Sequence, residues 1–172
     1  MIHVDPFADR RGLFARFYCE DALTELLGTR TIKQVNFSSN HERGTIRGLH
    51  YQREPELEMK FVRCLRGEVY SVVVDVRPES PTYLQWHAVN LSGDACNMLC
   101  IPERCAHGFQ SLNDDCELIY FVTSPYVPSL QAGIRFDDPI LAIPWPLPVS
   151  RMSDRDIRHA PLARTAAEGA LL

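Results

Sequence analysis

Apolar residues along the chain follow two different periods. Between Glu20 and Leu27 they recur at Ala22, Leu23, Leu26 and Leu27, a helical spacing closed by Gly28, and one short helix is predicted there. Farther on, the pattern is that of strands. Phe61–Leu65 and Glu68–Val76, separated by Arg66-Gly67, read as a hairpin turning at Gly67. Further strands are predicted over Leu84–Leu91, Asn97–Ile101, Gly108–Leu112 and Glu117–Thr123. Between them lies turn chemistry: Pro78 to Pro81, Ser92-Gly93-Asp94 and Asn113-Asp114-Asp115. Many short strands with few helices predict an all-β sandwich or barrel. Pro139, Pro144, Pro146 and Pro148 bar regular structure near the C-terminus, so that part is expected to wrap the barrel as extended chain. Residues 163–172 are expected to form a loose tail.

Composition narrows the class without naming a chemistry. The 172 residues suit a single domain over 1–172, and 45% hydrophobic with 23% charged residues is ordinary globular usage. A net charge of -4 argues against nucleic acid as a partner, since phosphate backbones select a basic excess. The N-terminus lacks the charged start and apolar stretch of a secretory signal, and no run of eighteen apolar residues occurs, so a cytoplasmic protein without membrane spans is expected. Cys19, Cys64, Cys96, Cys100, Cys105 and Cys116 lie mostly in apolar stretches and form no CxxC pair, and are expected to be reduced packing residues rather than zinc ligands.

Three polar clusters interrupt the strand pattern. Gln34, Asn36 and Ser38 share one face of a strand by alternation, either a solvated face or the lining of a polar lumen, and are followed by RGLHYQ (Arg47 to Gln52) and Lys60. IPERCAHGF (Ile101 to Phe109) brings His107 to the opening of a strand. The third cluster joins Tyr120 and Tyr126 of ELIYFVTSPY to Ser153-Asp154-Arg155-Asp156. Each has an ordinary structural reading: a hydrogen-bonded histidine, tyrosines in packing, a solvated acidic turn.

Together, RGLHYQ with its later lysine, IP…AHGF, Tyr-x-x-(Thr/Ser)-x-x-Tyr-x-Pro and Ser-x-(Lys/Arg)-Asp resemble dTDP-4-dehydrorhamnose 3,5-epimerases. DRRG (Asp9 to Gly12), VDVRPESPTY (Val74 to Tyr83) and DDPILAIPWP (Asp137 to Pro146) extend the collinear match over about residues 7 to 160. The resemblance implies a jelly-roll, cupin-like β-sandwich with one or two short helices. It also implies inversion at carbon 3, carbon 5 or both, beside the ketone of a nucleoside-diphosphate 4-keto-6-deoxyhexose. His50 then matches the general base, Asp156 the carboxylate that orients it, Lys60 the cation facing the enolate oxygen, and Tyr120 the acid on the opposite face. Arg47 and Arg11 match diphosphate contacts, Gln34 and Asn36 amides facing the nucleotide, Phe7 and Tyr126 aromatics around the base, and His107 a second pocket histidine. Some of these contacts come from a neighbouring subunit in the family, which implies a homodimer. No metal and no nicotinamide is expected, there being no glycine-rich dinucleotide turn after any strand.

The sequence departs from the family pattern at Arg16, where many relatives carry a glutamate, and at Arg104-Cys105, where Gly-Phe is usual. Other readings stay open at this stage: a mono-epimerase on another nucleotide sugar, a sugar 3,4-ketoisomerase, a non-catalytic sugar-nucleotide binder, and a metal-dependent cupin. The last needs a His-x-His pair, and here His50 is followed by Tyr51-Gln52.

Overall fold

Runs such as Val72-Val73-Val74 place apolar residues at consecutive positions, which suits strands covered on both faces. The computed structural model, which describes residues 1–162, has that architecture. The chain opens with β1 (Ile2–His3) and a small hairpin of β2 (Phe7–Asp9) and β3 (Gly12–Phe14), followed by helix α1 (Glu20–Leu27). Next come β4 (Gln34–Asn40), β5 (Ile46–Gln52), β6 (Lys60–Arg66), β7 (Glu68–Asp75), β8 (Trp86–Ser92), β9 (Asn97–Ile101), β10 (Cys105–Ser111) and β11 (Cys116–Val122). A single 3-10 turn at Pro128–Leu130 leads into β12 (Gln131–Gly133), and α2 (Asp154–Ile157) follows a stretch without strand or helix.

Two five-stranded antiparallel sheets, in the orders β1-β9-β6-β11-β4 and β12-β5-β10-β7-β8, form a jelly roll. Three apolar layers hold it. Val62, Leu91, Leu99, Phe109 and Leu118 fill the space between the sheets. Phe61, Met98 and Phe121 on the outside of the first sheet are covered by Leu23 and Leu27 of α1. An eight-residue helix is too short to persist alone, so the burial of these leucines, roughly 1.5–3 kcal/mol each, is what holds α1 in place. Leu49, Val72 and Val74 on the outside of the second sheet are covered by Ile134, Leu141, Ile143 and Leu162 of the C-terminal wrap.

The predicted helix coincides with α1, and its C′ residue Gly28 adopts φ +59° as the glycine stop implies. The hairpin read at Gly67 is a correction. β6 pairs with β9 and β11, whereas β7 pairs with β8 and β10, so the bend at Gly67 carries the chain from one sheet to the other. A Cβ there would stand 2.8 Å from Cys116 Sγ, and φ is +75°. The strand placed at Leu84 starts at Trp86, because Tyr83, Leu84 and Gln85 are still bonded into the turn around Asp75. The strand placed at Gly108 starts at Cys105, whose partner on β7 is Asp75. All six cysteines are free, four buried and Cys19 and Cys100 partly so. The tail expected over 163–172 lies outside the described residues, among which no helix is long and apolar enough to cross a membrane.

Candidate functional site

The space between the sheets is not filled throughout. A cavity of about 520 Å³ opens at the β4 and β5 end, a size that suits a small organic ligand. From β4 it is lined by Gln34, Asn36 and Ser38, so the alternating amide face points into the lumen rather than into solvent. β6 and β11 of the same sheet contribute Lys60 and Tyr120. The facing sheet contributes Arg47 and His50 from β5 and His107 from β10, while Arg155 and Asp156 close one side.

RGLHYQ can be read residue by residue. Gly48 sits at φ +109°, and a Cβ on it would lie 2.6 Å from both the Gly108 Cα and the His107 carbonyl oxygen. Glycine is therefore what lets β5 and β10 approach and sets His50 opposite His107 in the ladder. Leu49 and Tyr51 point outward into the apolar layer. Gln52 is buried, accepts from the Val127 N–H at 3.0 Å and donates to the Pro125 carbonyl at 3.0 Å, which anchors the wall bearing Tyr126.

His50 Nε2 lies 2.6 Å from Asp156 Oδ1, and Asp156 Oδ2 accepts the Gly48 N–H at 3.2 Å. The Asp156 N–H donates to the Ser153 hydroxyl at 3.1 Å, an N-cap that starts α2. The segment read as a solvated turn is thus one helical turn with Asp156 at its buried side. Burial by itself would raise the Asp156 carboxyl; the His50 hydrogen bond and charge, with the Gly48 and Ser153 contacts, outweigh it and hold the carboxyl below the ordinary aspartate value. An ionised Asp156 accepts from Nε2–H, which leaves the imidazole lone pair on Nδ1.

The other members sit in distinct environments. His107 is buried, with Nε2 3.0 Å from Ser71 Oγ, and burial, assisted by the charges of Lys60 and His50, lowers its pKa to about 3. It is a neutral imidazole at ordinary pH. Burial pushes the Tyr120 phenol well above its usual value, although the Arg47 charge and the Ser38 hydroxyl pull the other way. The rings of Tyr120 and His107 meet edge to face at 6.3 Å. Arg47 Nε donates to Asn40 Oδ1 at 2.6 Å, which fixes the guanidinium along the wall. Gln34 Oε1 accepts the Tyr126 N–H at 2.9 Å and its amide nitrogen donates to Asn36 Oδ1 at 3.2 Å, so three of the expected binding residues form one ledge.

Phe7 and Arg11 are not brought to this cavity. Both lie on the β2–β3 hairpin, where Phe7 is 78% exposed and Arg11, among the described residues, is paired only with Asp9. The departures also stand apart from it. Arg104 takes φ +56°, a conformation that glycine adopts freely, and its guanidinium is spent on Glu79. Arg16 reaches the Cys19 thiol. Conversely, sequence reading missed Glu58, whose carboxylate lies 2.6 Å from Lys60 Nζ with both side chains largely buried in the cavity wall. The signal was present, since Glu58 and Lys60 are two apart entering a strand. Arg151 and Arg155, neither of them among the expected site residues, also line the cavity.

A family model described as dTDP-4-dehydrorhamnose 3,5-epimerase matches residues 1–164. The dTDP-4-dehydrorhamnose 3,5-epimerase of Shigella flexneri is 39% identical over 151 residues, spanning 88% of this chain and 83% of that protein. Among solved structures, the dTDP-6-deoxy-D-glucose 3,5-epimerase of Legionella pneumophila, in complex with dTDP-4-keto-L-rhamnose, superposes with a TM-score of 0.90 at 38% identity, over 96% of this chain and 88% of that one. A 3′-monoepimerase from Streptomyces bikiniensis, in complex with dTDP-quinovose, superposes with a TM-score of 0.91 at 31% identity, over 99% and 86%.

Proposed function

The chain belongs to the dTDP-4-dehydrorhamnose 3,5-epimerase family of isomerases, and from that premise we propose that its cavity binds dTDP-4-dehydro-6-deoxyglucose and inverts carbons 3 and 5 through enolates. The observation that carries the assignment of the base is the 2.6 Å contact of His50 with a buried carboxylate at the cavity wall. Nδ1 of His50 takes the proton from the carbon beside the ketone, and the C–H electron pair passes into the enolate. The charge so formed on the carbon 4 oxygen is met by Lys60, held on the facing sheet by Glu58. Tyr120 gives its phenolic proton to the opposite face of the same carbon and recovers one from solvent, and His50 releases its own. A phenol raised by burial is a poor acid toward water but adequate toward an enolate, which restricts the transfer to the intermediate. A neutral His107 can donate or accept a hydrogen bond without adding charge.

Arg47 and Arg155 supply charge for the diphosphate, and the Gln34, Asn36 and Tyr126 ledge supports the nucleotide. We place Phe7 and Arg11 at the site of a neighbouring subunit in a homodimer. That reading is supported by the exposure of Phe7, Leu13 and Phe14 on the hairpin, together with Val35 and Phe37 on the edge strand β4.

Proton NMR of dTDP-4-keto-6-deoxyglucose incubated with the protein in deuterium oxide tests the function. Loss of the signals at carbons 3 and 5 is the expected result. Loss at one carbon would make the chain a mono-epimerase like its Streptomyces relative, and no exchange at either would overturn the reading for this substrate.

A further inference from the structure

His159 belongs to no role assigned so far. It follows α2, and its ring lies against Gly133, the residue paired with His50 across β12 and β5. A Cβ on Gly133 would stand 2.2 Å from His159 Nε2, so the imidazole occupies the place beside His50 where a side chain at 133 would be. The two imidazole rings meet edge to face, with centroids 6.3 Å apart. His159 Nε2 is buried and has no hydrogen-bond partner among the described residues. A buried ring nitrogen without a partner is uncommon, because its desolvation goes uncompensated.

We propose that His50, Asp156 and His159 form a binding site for one divalent cation of the zinc type, and that its occupancy switches the catalytic base off. One nitrogen from each histidine and one Asp156 oxygen lie within 4.8 Å of one another. Two imidazoles and a carboxylate are the donor set of open zinc sites, with the fourth position left for water. Tetrahedral coordination needs donor atoms about 3.4 Å apart, within reach of side-chain rotation from the present spacing. Apart from His50 itself, the cation that acts on His159 is Arg155, and it is exposed to solvent, where its repulsion is screened.

The effect on catalysis follows from the proton count of a neutral imidazole, which has one N–H and one lone pair. Coordination at Nδ1 consumes the lone pair that would take the substrate proton. Coordination at Nε2 opens the 2.6 Å bond to Asp156 and moves that nitrogen's proton to Nδ1, which then has no lone pair. Either mode leaves His50 without a free basic nitrogen, so occupancy and activity exclude each other.

The test uses the full chain, stripped with a chelator and then given zinc chloride alone, with bound zinc measured by equilibrium dialysis and activity by deuterium exchange. One equivalent of zinc is expected to bind, exchange to fall in proportion, and a chelator to restore it. Cobalt(II) in place of zinc should show the intense visible absorption of a tetrahedral site. His159→Ala should keep its metal-free exchange rate within a few-fold and bind zinc at least ~30-fold more weakly, the order seen when a supporting group of a metal site is lost. His159→Gln serves if the alanine variant does not fold. Zinc affinity unchanged in these variants, or no zinc retained by the wild type at millimolar zinc, would overturn the proposal. The inhibition readout rests on the epimerase reading, whereas the dialysis and cobalt readouts do not. Zinc bound by a chain that exchanges no deuterium would therefore sink the function and leave the site standing.

Discussion

Asp156→Asn is the substitution whose outcome the geometry defines most closely. The two Asp156 oxygens accept from two different donors, His50 Nε2–H at 2.6 Å and Gly48 N–H at 3.2 Å. Asparagine has one acceptor and one donor at the same positions, so a single orientation cannot satisfy both. If the amide oxygen faces His50, its NH₂ confronts the Gly48 N–H, and a buried donor loses its partner at a cost of about 1–3 kcal/mol. If the NH₂ faces His50, it donates to Nε2, the ring proton moves to Nδ1, and the lone pair leaves the catalytic nitrogen. The lower-energy choice keeps Gly48 satisfied and disarms the base. A positioned acid–base group contributes about 10²–10⁴ in rate, equivalent to ~3–5 kcal/mol of barrier. Deuterium exchange at carbon 3 should fall by that range, while the unfolding free energy from urea titration falls by no more than ~2 kcal/mol. Exchange at the wild-type rate in a folded Asp156→Asn protein would refute the assignment of Nδ1 as the base nitrogen held by this carboxylate.

Other consequences can be checked on the same preparations. Tyr120→Phe should retain measurable deuterium exchange yet lose net inversion, because abstraction proceeds without the opposing acid; product analysis by NMR separates the two, and equal loss of both would reduce Tyr120 to a wall residue. Gly48→Ala should cost about 3–5 kcal/mol by urea unfolding, since the new Cβ meets the β10 backbone at 2.6 Å, at both the Gly108 Cα and the His107 carbonyl oxygen, and the residue keeps φ at +109°. For His107 the native pKa of about 3 lies below the ordinary histidine value of 6.5, so the unfolded chain binds the extra proton. The stability contributed by its neutral burial is complete above 6.5 and drains as pH falls toward 3, by up to ~1.4 kcal/mol per pH unit. The urea midpoint should therefore fall between pH 7.5 and 5.5 in the wild type and fall less in His107→Gln.

Some of the architecture could be read from residue order, and the misses have definite causes. Helix α1 declared itself through spacing and a terminal glycine, both local properties. The strands were visible as apolar runs, but the partner of each was not. Gly67 looks the same to a local reading whether the chain turns back on itself or passes to the facing sheet, and only β9 and β11 competing for β6 decide it. His50, Lys60, His107, Tyr120 and Asp156 were picked out through resemblance and do converge on one cavity. Glu58 escaped because a carboxylate between Leu57 and Met59 reads as solvent-facing until its burial against Lys60 is known. His159 escaped because its environment is made by the absence of a side chain on a residue 26 positions away.

The segment that completes the His50 environment is synthesised after the strands of both sheets. Among the described residues, every strand of both sheets lies between Ile2 and Gly133, whereas Asp156 arrives 106 residues after His50, on a wrap fastened where Asp138 Oδ2 accepts the Leu162 N–H at 2.7 Å. On the ribosome, and in any refolding reaction, a barrel can therefore close around a ligand-sized space before its histidine has an orienting carboxylate. The orienting carboxylate comes with the docking of the wrap rather than with barrel closure. The order of the chain thus ties the orientation of His50 to the docking of the wrap.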